Sequence, residues 1–302
     1  MKYGIIDVGS NTIRLSIYEC EDGRIKLLMN KKEMAGLAGY IQDGILSDEG
    51  VAAAGRILQE YHALLHNLGI SECHVFGTAP LRNIVNTEEA VEALYTSTGI
   101  SIDVLTGMEE AELSFQGAAL GGGKDSGMLA DIGGGSTELV LFQDGAVRSG
   151  GSLPVGSLSL FTKYVSGLFP TKEERKAIKA CVEDALARTA LAPEEQTHLV
   201  GVGGTIRAVG KLCNDRAGAD PENRDIPAEE IISLYHGLKK GDRATLRQIL
   251  RSAPDRVHTI LPGLIVLKTV LKAFQVKTIS VCRYGVREGY LLKRVLKEGG
   301  TT

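Results

Sequence analysis

No apolar run in this sequence approaches the roughly 18 residues that a membrane-spanning helix needs. Nor does a leader pattern open it: Met1-Lys2-Tyr3 runs directly into a β-type segment, so a cytoplasmic protein is expected, with no membrane partner. Cysteine is scarce and scattered. The five (Cys20, Cys73, Cys181, Cys213, Cys282) are odd in number, with neither Cys-x-x-Cys nor zinc-type spacing, and read as reduced, mostly buried thiols. Positive charge is not in excess either. The net charge of −3 argues against a broad DNA or RNA surface, so any polyanion must be held by a local basic pocket.

Several catalytic signatures are also missing. Gly123-Lys124 is followed by Asp125, and Ala118 stands where a first Walker glycine would be, so this is no P-loop. Cys282 and Arg287 have one residue too few between them for a cysteine-phosphatase loop. His62 and His66 share a helical face, but no Glu follows His62, which disfavours a zinc protease. No His is followed by Asp, which removes a His-Asp metallophosphohydrolase.

What is present is a repeat. Asp7-Val-Gly-Ser-Asn11 and Asp131-Ile-Gly-Gly-Gly-Ser136 each end one apolar run and open another. Tyr3 to Ile6 and Thr12 to Tyr18 read as strands around the first, with Asp22-Gly23 turning into a third strand, Arg24 to Met29. Met128 to Ala130, Thr137 to Phe142 and, after Asp144-Gly145, Ala146 to Ser149 repeat the plan. Glycines let backbone N–H groups approach a phosphate closely, and each Asp could hold a cation or a water against it.

In the first half, the spacing predicts a helix from Ser47 to Gly69, a strand over His74 to Phe76 and a helix over Glu88 to Ser97. A strand over Ser101 to Leu105 and a helix after Thr106 follow. Helices are predicted at about Thr171 to Ala190, Thr205 to Leu212 and Pro262 to Phe274, with a helical insertion over 227–251 and a final helix through Val286 to Leu296. Strands over His198 to Val202 and Val276 to Val281 complete an α/β chain of two similar halves, each a mixed sheet with helices. Gly121 to Gly127 reads as a hinge, giving domains 1–122 and 123–302, with the last helix free to pack back on the first domain and a ligand cleft expected between the two.

Thr106-Gly107-Met108-Glu109 fits a capping box, which accounts for Glu109 but not for Glu110, about 100° further round the helix. Arg82, in Thr78-Ala-Pro-Leu-Arg82-Asn83, reads either as a solvated loop residue or as a guanidinium fork on phosphate. Gly201-Val-Gly-Gly-Thr205 is a third glycine turn opening a helix, so Gly204 and Thr205 are candidate anion contacts.

Taken together, these segments resemble the exopolyphosphatase and guanosine-pentaphosphate phosphohydrolase family, within the actin–hexokinase–Hsp70 superfamily. The carriers are Ile6 to Leu15, Gly77 to Asn86, Gly107 to Leu113, Asp131 to Glu138, Leu153 to Gly156, Gly203 to Thr205 and Gly285 to Gly289, in family order. The resemblance implies two tandem ribonuclease H-like domains and magnesium-dependent release of terminal phosphate from inorganic polyphosphate. It implies Glu110 as the base that activates water, Asp131 as the metal-linked carboxylate with Asp7 the alternative, and Glu138 as a second acid. Ser10, Asn11, Arg82, Gly133, Gly134, Gly135 and Ser136 would grip phosphate. Pro80 and Asn83 depart from the more usual small residue and acid, and a chain ending near 302 resembles the short two-domain form.

Hydrolysis of pppGpp is the nearest alternative activity, and a non-catalytic nucleotide or polyphosphate sensor the alternative of another class. Glu110 separates enzyme from sensor, because a pure binder needs no base beside its phosphate grip. A homodimer is compatible with the sequence.

Overall fold

The computed structural model describes residues 1–21, 24–122, 125–189, 191 and 196–296. The expected Asp22-Gly23 turn and the Gly123-Lys124 centre of the expected hinge lie outside them. The chain divides into two compact units, Met1–Glu110 with Tyr290–Thr302, and Ala111–Gly289.

The first unit opens with β1 (Lys2–Val8), β2 (Ile13–Glu21) and β3 (Arg24–Glu33), then a small hairpin of β4 (Ile41–Gln42) and β5 (Ile45–Leu46) that the sequence did not announce. Helix α1 (Asp48–Asn67) follows, then β6 (Glu72–Gly77), α2 (Ala79–Arg82), α3 (Thr87–Thr98) and β7 (Asp103–Val104). Ser47 caps α1 by accepting from Gly50 N, satisfying one of the free donors of the first turn. The sheet order is β3-β2-β1-β6-β7, with β1, β2 and β3 antiparallel and β6 and β7 added in parallel. Along β1 and β2 the two-residue period puts Ile6, Val8, Ile13, Leu15 and Ile17 into one core with Leu58, Tyr61 and Leu65 of α1. Asp7 and Arg14 are therefore left on the opposite face, as register partners.

Helix α4 (Gly107–Ala119) contains the division between the units. It falls between Glu110 and Ala111, earlier than the 122/123 boundary expected from the glycine run. The reason is packing: Ala111, Phe115 and Ala118 bury with Leu129, Val140, Phe142 and Val202, so this part of the helix belongs to the second core.

The second unit repeats the plan with β8 (Gly127–Ile132), β9 (Thr137–Gln143) and β10 (Ala146–Leu153). Asp144 and Gly145 both take positive φ, 53° and 71°, as a tight hairpin turn requires. Next come α5 (Ser157–Tyr164), absent from the sequence prediction, and α6 (Lys172–Ala187). They are followed by β11 (His198–Val202), α7 (Gly203–Ala217), β12 (Asp225–Pro227), α8 (Ala228–Leu238) and α9 (Arg243–Ser252). Helix α10 (Ile260–Ala273), β13 (Thr278–Val281) and α11 (Val286–Tyr290) complete it, and a π-helical turn, Leu291–Val295, continues from α11. The sheet order is β10-β9-β8-β11-β13-β12. Three antiparallel strands followed by parallel ones in both units, with β12 at the edge of the second sheet again antiparallel, form the α/β plan of mixed sheets flanked by helices that the resemblance implies. Helix α10 is apolar nearly all round and lies at the centre of the larger core. Tyr290, assigned with the first unit, sets its ring 4.8 Å from that of Phe76. Among the described residues no helix is long and apolar enough to cross a membrane.

Candidate active site

The two Asp-x-Gly turns have the same internal geometry. Gly9 N donates to Thr12 O at 3.2 Å, and Gly133 N donates to Ser136 O at 3.0 Å. Seven residues after each Asp, the return strand places its register partner: Arg14 opposite Asp7, Glu138 opposite Asp131. Directly opposed residues share a sheet face, so each turn carries a charged pair at its base.

In the second turn the carbonyls are engaged and two amides are not. Ser157 N donates to Gly133 O, and Leu158 N and Ser159 N both donate to Gly134 O, each at 2.9 Å. Helix α5 thus fixes the turn through its first-turn donors, and Gly156 Cα packs so closely on Gly134 that a Cβ would collide with it. Among the described residues the N–H groups of Gly134 and Gly135 donate to no protein acceptor. In the first turn the Ser10 and Asn11 carbonyls accept from Ala38 N and Gly36 N, each at 3.0 Å, and both residues are buried. The result is two backbone nests of the kind that hold anions.

Asp131 lies under the second nest, on the sheet face that carries Leu129 and Val140. Its Oδ2 accepts from Ser114 Oγ at 2.9 Å, from the α4 turn after Glu110. Burial pushes its carboxyl pKa up; the Ser114 hydroxyl, Arg207 and Arg287 oppose that rise and Glu288 adds to it. Glu138, also buried, accepts from Ser152 Oγ at 2.7 Å. Glu288 accepts from Gly285 N at 2.8 Å.

Arg82 and Glu110 meet. Arg82 Nη1 lies 2.6 Å from Glu110 Oε2 and donates also to Leu105 O at 3.2 Å, while Nε donates to Asn83 Oδ1 at 3.3 Å. Arg82 is not on a loop, as the sequence suggested, but ends the one-turn helix α2, whose Ala79, Pro80 and Leu81 are buried. Glu109 does close the capping box: it accepts from Thr106 N at 2.9 Å, and Thr106 Oγ1 accepts from its amide at 3.2 Å. These bonds hold its carboxyl below the usual range, with Arg294, its ion-pair partner, adding to the effect.

The third glycine turn is closely packed at each of its residues. Gly203 has φ 88° and borders Asp131 Oδ1 so closely that a Cβ would strike it. Gly204 lies under the Arg256 guanidinium. Thr205, expected as an anion contact, is buried; its hydroxyl donates to Ser157 Oγ at 3.4 Å and its methyl faces Gly263. Its side chain therefore binds α7 to its neighbours rather than presenting to a ligand. Arg207 and Arg256, which the sequence reading missed, bring guanidinium groups to the start of α7, and burial lowers the pKa of each. Arg207 was discoverable as the residue one turn after Gly203, and Ser114 as the residue one turn after Glu110. Among the described residues no three His, Cys, Asp or Glu side chains cluster as a metal site.

Each turn sets backbone amides over a charged register pair, and arginines gather on the acidic one. The sequence profile of the Ppx/GppA phosphatase family matches residues 16–298, and the chain belongs to that family. It is 24% identical over 318 residues to exopolyphosphatase 1 of Mycobacterium tuberculosis, covering 100% of this chain and 90% of that protein. It is 26% identical over 309 residues to the guanosine-5'-triphosphate,3'-diphosphate pyrophosphatase of Photobacterium profundum, covering 98% of this chain but 59% of that one. The crystal structure of the Aquifex aeolicus member of the Ppx/GppA family matches with a TM-score of 0.80 at 25% identity, over 100% of this chain and 99% of that one.

Proposed function

We propose that this protein is an exopolyphosphatase, releasing terminal phosphate from inorganic polyphosphate by magnesium-dependent hydrolysis. The observation that carries the reading is the nest of Gly134 and Gly135 amides above Asp131 and Glu138, because phosphoryl transfer needs positioned donors and charge neutralisation more than covalent chemistry.

In this reading the amides of Gly134 and Gly135 and, in the other turn, those of Ser10 and Asn11 bind phosphate oxygens. Arg207 and Arg256 add positive charge at the start of α7. Glu110 accepts a proton from the attacking water, and Arg82, bonded to it, holds its carboxylate in one orientation. Glu138, fixed by Ser152, orients water at the floor of the nest.

The donor set at Asp131 fits a hydrated magnesium ion. It offers a hard carboxylate whose Oδ1 is bordered by Gly203 rather than by a side chain. Magnesium is commonly held by one or two carboxylates, with water and substrate phosphate supplying the rest, so a three-carboxylate cluster is not required. Asp131 would hold the ion, with Asp7 the alternative, and the ion would neutralise charge on the phosphate.

Similarity to the Photobacterium profundum pyrophosphatase supports a second reading, removal of the terminal 5′-phosphate of pppGpp by the same groups. Phosphate release measured with magnesium on polyphosphates of several lengths, pppGpp and ATP tests both. Release from polyphosphate is expected. Release from pppGpp alone would favour the second reading, and binding of all three without release would make the protein a sensor.

A further inference from the structure

Helices α6, α8 and α10 of the second unit surround a cavity of about 640 Å³ that none of the residues discussed above lines. Leu186, Ala187 and Ala273 give it an apolar wall above the buried Ile265, Tyr235 and Phe274, and Lys179, Lys268 and Lys272 stand around it. Lys268 Nζ lies 4.1 Å from the centre of the Tyr235 ring. Arg175 adds a fourth cation, and Glu183, the acid on the wall, is bonded to Lys179 at 2.5 Å. Among the described residues neither Lys268 nor Lys272 has an ion-pair partner.

This is an unusual arrangement of charge for a protein with a net −3. Burial lowers the Lys268 pKa, and Lys272, Lys239 and Lys179 depress it further, so lysines from three helices repel one another here. His236 is held low by burial and by Lys239, Lys268 and Lys272. Like charges gathered beside an apolar wall leave an attractive potential for an anion. Ammonium groups suit phosphate as point charges. The volume lies within the range of small-ligand pockets, and the aliphatic wall beside the ammonium groups suits a phosphate that carries an organic body rather than bare polyphosphate.

We propose that this cavity binds a small phosphorylated organic molecule, the class to which nucleoside monophosphates belong, with its phosphate at Lys179, Lys268 and Lys272 and its body beside Leu186 and Ala273. The site is separate from the glycine turns and does not depend on which substrate the protein hydrolyses.

Calorimetric titration of the full chain with AMP and GMP tests it, because neither contains a phosphoric anhydride that a hydrolase of this type could cleave. Saturable one-site binding is expected. In the Lys268→Gln/Lys272→Gln variant it should weaken at least about tenfold, the order expected for lost charged contacts, while phosphate release without nucleotide stays unchanged. Arg82→Ala should leave nucleotide binding intact. On the wild-type protein, either nucleotide should also protect Lys268 and Lys272 from reductive methylation, read by mass spectrometry, so a poorly folding variant would not blunt the test. Equal binding by the lysine variant, loss of binding in Arg82→Ala alone, absence of saturation to about 10 mM, or unprotected lysines would overturn the proposal.

Discussion

Arg82 Nη1 stands 2.6 Å from Glu110 Oε2, with the two side chains only 14% and 11% exposed. The pair joins a residue of α2 to one at the first turn of α4, and both ends are shielded from water. A carboxylate held this way is oriented before substrate arrives, which is useful in a base. It is also a structural element, because removing one partner of a buried pair leaves the other uncompensated.

Glu110→Gln should lower the rate of phosphate release by about 10²–10⁴. Burial changes the stability expectation from that of a surface acid: the substitution should cost up to about 3 kcal/mol, because it removes the charge of one member of a largely buried ion pair. Single-turnover phosphate release, scaled to the folded fraction from a denaturant melt, separates the two effects. Wild-type turnover per folded molecule would remove Glu110 as the base.

Arg82→Lys preserves charge but not the planar fork that reaches Glu110, Leu105 O and Asn83 together. KM for polyphosphate should rise about tenfold or more, the order of a lost charged hydrogen bond. Added salt should weaken the wild type more steeply than the variant, because charged contacts to phosphate are screened. Parallel salt curves would assign Arg82 to stability alone.

Asp131→Asn should abolish magnesium-dependent turnover, by at least about 100-fold if the carboxylate supplies transition-state electrostatics. The same change should raise the melting temperature at neutral pH in the absence of metal. Burial is the main influence on Asp131 and raises its folded pKa, so its charged form is disfavoured by folding. Wild-type stability from this group is therefore lost as pH rises from the unfolded value, about 3.9, through the raised folded one. The gap between variant and wild type should be widest above that window and close as pH falls toward 4. Melts in EDTA across pH 4–8 read this directly, and a variant less stable at every pH would contradict it.

Gly203→Ala and Gly218→Ala form a matched pair. Both glycines have positive φ, 88° and 61°, so each alanine should cost on the order of 1 kcal/mol in backbone strain. Space around Gly218 is open, whereas a Cβ at Gly203 meets Asp131 Oδ1. Activity should survive the change at 218 and fall at 203. Equal activity in both variants would mean that the close approach to Asp131 has no role in turnover.

The local grammar of this chain was legible in its residues. Asp7-Val-Gly-Ser-Asn11 and Asp131-Ile-Gly-Gly-Gly-Ser136 specify their turns within a few residues, since glycine and the flanking β-type runs leave few alternatives. The Ser47 cap and the Thr106 to Glu109 box likewise act within one helical turn. Even the pairing of Asp131 with Glu138 follows once a tight hairpin is granted, because the period of two puts both on one face. Packing decided what these rules do not reach. The place of most of α4 in the second unit depended on Phe115 finding Leu129 and Phe142. Arg82 became the partner of Glu110, and Arg207, Arg256 and Arg287 gathered near Asp131 and Gly204, through contacts between residues far apart in the chain. No local propensity encodes such meetings. They exist because folding buries these charges together, and each must then find a counter-charge or a donor at the same depth.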